Sequence, residues 1–131
     1  MKSKLLIFLY GAVGFLAIAI PTLAHHGTAA YDTKNLITLK GIVTDFSFIN
    51  PHTQIYIDVK DDNGGVINWG CELTSPARLA RVGWTKDSLR PGDQIIVTVG
   101  PAKNGAHVGV IRTIAVNGKT LSPGLDEAPS Y

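Results

Sequence analysis

The chain has 131 residues, 12 Lys and Arg against 10 Asp and Glu, and a single cysteine, Cys71. That length suits one small domain rather than two, and one cysteine excludes an internal disulfide framework. A formal charge of +2 lacks the strong basic excess with which nucleic-acid binders displace counterions from phosphates, so no nucleic-acid partner is expected.

Residues 1–24 read as an export signal. Met1-Lys2-Ser3-Lys4 is a positive start, Leu5 to Ile20 is apolar without a charge, and Pro21-Thr22-Leu23-Ala24 ends in the small residues of a cleavage site. The apolar run is long for a signal core and short of the roughly 20 residues a spanning helix needs. The alternative is an uncleaved anchor with Lys2 and Lys4 on the cytoplasmic side, the one case in which the chain would touch a membrane. Both readings put the domain outside the cytoplasmic membrane, and the expected location is periplasmic. Cleavage after Ala24 removes Lys2 and Lys4, so 10 Lys and Arg then balance 10 Asp and Glu, and the mature chain begins at His25.

A polar lead-in, His25 to Asn35, precedes short strand-like runs separated by turn residues. The first run spans Leu36 to Phe48, with Ile37, Leu39, Gly41 and Val43 on one face; Gly41 permits a sharp bend. Asn50-Pro51-His52 is a turn. The second strand, Thr53 to Lys60, alternates Ile55, Ile57 and Val59 with Gln54, Tyr56 and Asp58 at a period of two. Asp61-Asp62-Asn63-Gly64-Gly65 is a hairpin loop, and the third strand, Val66 to Leu73, puts Ile67, Trp69, Cys71 and Leu73 on one face.

Thr74-Ser75-Pro76 then starts a short helix, with Ser75 as N-cap and Pro76 at its first position, that stops at Gly83. A loop, Trp84 to Arg90, reaches the turn Pro91-Gly92-Asp93. The fourth strand is Gln94 to Val99 and the fifth about Val110 to Val116, with His107 in the loop between them; Asn117-Gly118 is a hairpin turn. This order, three strands, a helix, then two strands, is that of a small all-β, five-stranded OB-like Greek-key barrel over residues 25–121. An open β-sandwich with the same strands is the competing architecture. Residues 122–131, with two prolines, read as a disordered tail.

The spaced pieces His25-His26-Gly27, Ala29-Ala30-Tyr31-Asp32, Leu39-Lys40-Gly41, Asn50-Pro51-His52, Asn68-Trp69, Glu72-Leu73, Gly83-Trp84-Thr85 and Leu89-Arg90-Pro91-Gly92-Asp93 together resemble an uncharacterised family of small exported bacterial proteins. The resemblance runs through essentially all of the mature chain and implies a small periplasmic β-barrel. It implies no activity. Cys71 departs from the small or aromatic core residue of similar sequences, so by that resemblance a thiol is not essential to the family.

All four histidines fall outside the expected strands. The amine created at His25 titrates near neutrality, at about 7.7 to 8.0, and with the His25 ring, His26 and His52 it supplies a nitrogen-rich donor set of the kind copper prefers, ahead of zinc. The competing account is that His25 and His26 merely follow a cleavage site and His52 holds a turn, since no compact ligand motif is present. His107 reads as a solvated loop residue. Cys71 reads as a small buried hydrophobe, and Asp58, Asp61, Asp62 and Glu72 do not make a calcium loop. Trp69, Trp84, Tyr56 and Phe48 are candidates for a ligand groove on the second and third strands, with Tyr56 and Trp84 as the surface for a partner.

No nucleophile elbow, phosphate-cradling glycine loop or C-x-x-C-H haem motif is present. The reading is therefore a non-enzymatic periplasmic barrel that binds or passes on copper through His25, His26 and His52. The alternative is a metal-free module docking another exported or membrane protein. An oxidative enzyme built on an N-terminal copper site ranks third, because a small barrel offers little shaped substrate surface.

Overall fold

A computed structural model describes residues 28–125. The export segment, His25 and His26, and residues 126–131 lie outside the described residues. After a short 3-10 turn, Thr28–Ala30, come strands β1 (Ile37–Ser47), β2 (Gln54–Lys60) and β3 (Val66–Glu72), helix α1 (Pro76–Arg81), and strands β4 (Gln94–Pro101), β5 (Val108–Val116) and β6 (Lys119–Leu121).

The expected alternation appears in the burial. Leu39 and Val43 of β1, Ile55 and Ile57 of β2, Cys71 of β3, Ile95, Val97 and Val99 of β4 and Ile111 and Ile114 of β5 form one core. Strand β1 pairs antiparallel with β2 and β4, β2 with β3, and β4 with β5. Gly70–Glu72 of β3 run parallel to Val108–Val110 of β5 and close the cylinder. The circuit β1-β2-β3-β5-β4-β1 is a closed five-stranded barrel, consistent with the OB-like reading. Closure removes the free edges an open sandwich would present, and β6 is added to β5 outside the circuit.

Helix α1 forms as its sequence dictates. The Ser75 Oγ accepts from the Arg78 amide, Pro76 opens the helix, and Gly83, at φ +92°, takes the left-handed conformation that ends it. Its one inward residue, Leu79, is fully buried in the core.

Two expectations are corrected. Trp84, placed by sequence on a partner surface, is buried with only 4% of its surface exposed. Its ring meets Phe46 at 6.1 Å, and its Nε1 donates to the Ser122 carbonyl at 2.8 Å. Ser122 to Leu125, placed in the tail, are in part held to the barrel: a Cβ on Gly124 would lie 2.9 Å from Leu79.

Candidate functional site

His52 is the candidate ligand that the described residues contain. It follows the turn Asn50-Pro51, where β1 hands over to β2. Its Nδ1 is bonded to Glu72 Oε1 at the end of β3, and the second Glu72 oxygen accepts from Gln54 Nε2 at 3.3 Å. The register makes this possible, because Gln54 stands directly opposite Glu72 on the outer face of β2 and β3. A carboxylate only accepts, so His52 Nδ1 is the donor in this bond, and in the neutral ring that leaves the lone pair on Nε2. The imidazole is half exposed, with 53% of the side chain open to solvent.

The lead-in is tied to the same region. Asp32 donates its amide to the Pro101 carbonyl at 2.8 Å, Lys103 donates its amide to the Ala30 carbonyl at 3.0 Å, and Lys103 Nζ donates to the Ala29 carbonyl at 2.9 Å. Tyr31 forms a β-bridge with Ala102. Burial raises the Tyr31 phenol above its ordinary pKa, and the negative charge of Glu72 adds to that rise. Tyr31 and His52, far apart in sequence, thus share one carboxylate's field.

His25 lies three positions before Thr28, where the described chain begins, a reach of at most about 10 Å. His25 and His26, the other expected ligands, lie outside the described residues. Among the described residues no three of His, Cys, Asp and Glu converge as a metal cluster; they supply one imidazole with its supporting carboxylate.

The expected aromatic groove is not assembled. Tyr56 is on the outer face and 37% exposed, packed over Gly70, where an added Cβ would lie 3.5 Å from its ring. Trp69 alternates to the inner side and is half-buried, its ring 5.2 Å from that of His107. Phe48 is half-buried and packs on Phe46, and Trp84 is in the core. His107 is exposed, but it is not merely solvated, since besides the Trp69 contact its carbonyl accepts from the Gly70 amide at 3.0 Å.

Sequence reasoning left Glu72 as a solvated acid and Tyr31 without a role. The signal that would have raised both was in the resemblance, whose pieces include Ala30-Tyr31-Asp32 and Glu72-Leu73. Cys71 is fully buried, and burial pushes its thiol up to about 12, which removes it as a thiolate ligand near neutrality.

Fold and site together define a closed five-stranded β-barrel with a histidine–carboxylate pair at the start of its second strand. The family of unknown function DUF6152 matches residues 13–112, and the chain belongs to it. No curated protein matches the sequence.

Proposed function

We propose that this protein is an exported, periplasmic β-barrel that binds or hands on a copper ion. Its ligands are the amine and ring of His25, the ring of His26, and Nε2 of His52. The observation that carries the reading is the His52–Glu72 bond. A metal-binding histidine characteristically donates its other ring N–H to a carboxylate, which fixes the tautomer and orients the ring. Glu72 accepts from Nδ1 in this way, and Nε2 of the half-exposed ring is the nitrogen left for a metal. The tether of Ala29–Asp32 to Pro101–Lys103, with Tyr31 in the field of Glu72, supports a terminus within reach.

The metal-free docking reading loses Trp84 to the core and keeps Tyr56 as its exposed aromatic. It is the weaker of the two, because a single ring partly covered by its own sheet is a small anchor for a partner.

The test is a copper titration at neutral pH on purified protein whose first residue is fixed by intact mass. The expected result is a start at His25, a visible d–d band and one equivalent bound, with binding lost in the double variant H25A/H52A. A retained leader, or stoichiometric binding that survives the double substitution, overturns the assignment.

A further inference from the structure

A concave surface elsewhere on the barrel shares no residue with the His52–Glu72 cluster. It is an open groove of about 800 Å³ whose lining includes Lys40 and Ile42 of β1, Lys60 of β2, Val66 of β3, Ile96 of β4 and Ala115 of β5. That size is within the range of small-molecule sites. Its shape follows from Gly41: a Cβ there would fall 2.5 Å from the Asp58 carbonyl, so only glycine lets β1 and β2 approach this closely.

The registers show what the groove presents. Lys60 stands opposite Val66, Lys40 opposite Ile96, and Ile96 opposite Ala115. Continuing the Gly41–Val59 register by one residue sets Lys40 level with Lys60 on the neighbouring strand. The outer face therefore carries two lysines at neighbouring cross-strand positions, flanked by apolar residues. Like charges in cross-strand positions repel, and among the described residues neither lysine has a carboxylate within ion-pair distance; the ion pair found there is His52–Glu72. The nearby Asp58 is occupied by Asn68 Nδ2 at 2.8 Å. Ile42, Ile96 and Val66 are 42%, 46% and 61% exposed, three large apolar side chains left open in one place.

We propose that this groove binds an amphipathic monoanion, an apolar acyl chain ending in a carboxylate. The head lies between Lys40 and Lys60, and the chain lies over Ile42, Ile96 and Ala115. Strands are about 4.8 Å apart, so two ammonium groups on neighbouring strands suit the two oxygens of one carboxylate. Two lysines against Asp58 leave one net positive charge at the rim, which matches a monoanion. The apolar floor gives the acyl chain a dry surface that free phosphate or acetate would not use.

The test is titration of the purified protein with decanoate below its micelle concentration, followed by amide chemical shifts. Saturable single-site shifts centred on Lys40–Ile42, Lys60, Ile96 and Ala115 are expected, with affinity falling roughly tenfold for neutral decanol and for the exposed-site variant K40Q/K60Q, as for loss of a charge-assisted hydrogen bond. No saturation, shifts centred elsewhere, or binding undiminished in K40Q/K60Q overturns the proposal. So does a response to an acidic peptide but not to decanoate, which would make the groove a protein-docking surface.

Discussion

Glu72, at the end of β3, holds Nδ1 of His52, which precedes β2, so one carboxylate on the sheet engages one nitrogen of a turn imidazole and leaves Nε2 for a ligand. Replacing Glu72 by Gln keeps the shape but removes the charge and leaves the side-chain amide free to flip. Copper affinity is expected to fall about 10- to 100-fold, the usual effect of losing the group behind a ligand. The pair is partly solvated, and stability should change by less than about 0.5 kcal/mol. Copper titration beside a urea melt separates the two effects; unchanged copper affinity would disconnect Glu72 from the site.

Trp84 Nε1 donates to the Ser122 carbonyl, tying the segment after α1 to the chain leaving β6. Trp84→Phe removes that donor and part of the buried ring, and an expected loss of about 2 kcal/mol follows from an unpaired carbonyl plus a small cavity. Trp84→Ala should cost about 3 to 5 kcal/mol. Denaturant midpoints at constant slope measure both. A Trp84→Ala variant as stable as the parent would mean that the ring is not part of the core.

Gly41→Ala puts a methyl group against the Asp58 backbone, which cannot rotate aside. The two central strands must separate, at an expected cost of about 1 to 3 kcal/mol, and the groove beside them must change shape. A urea melt checks the stability. Decanoate binding weakened beyond what Lys40→Gln alone produces would report the altered groove, and an unaffected Gly41→Ala variant would show that the strands are not so closely apposed.

Much of the barrel was legible because β-strands write their faces into the sequence. Ile55 and Ile57 alternate with Gln54 and Tyr56, Pro91-Gly92-Asp93 and Asn117-Gly118 announce turns, and Ser75-Pro76 announces α1. The closure of β3 onto β5 was not legible, since a period of two says which face is buried but not which strand lies beside it. Trp84 follows a glycine in a loop and reads as exposed; it is buried because Ser122 and Phe46, distant in sequence, cover it. The same limit hid the pairing of His52 with Glu72, which depends on the 54–72 register, and the placing of Tyr31 in the field of Glu72, which depends on Ala29–Asp32 being tied to the end of β4. The two central lysines each read as ordinary polar alternation, and only the register puts them side by side.

Cys71 links burial to a measurable pH dependence. It is fully buried, and desolvation, which disfavours the thiolate, moves its pKa from the ordinary 9.0 to about 12. The folded state therefore binds the proton more tightly than the unfolded chain. Below about pH 9 both states hold it and stability is unaffected; between 9 and 12 the unfolded thiol ionises while the folded one does not, so stability falls as pH rises. Three pKa units correspond to at most about 4 kcal/mol, and Cys71→Ala should remove this part of the alkaline decline while costing something in packing at neutral pH. Urea melts from pH 7 to 11 on both proteins test the slope. Thiol labelling gives the second readout: modification of the native protein should proceed no faster than the chain opens, and rapid labelling at pH 8 in the absence of denaturant would contradict the buried, protonated thiol.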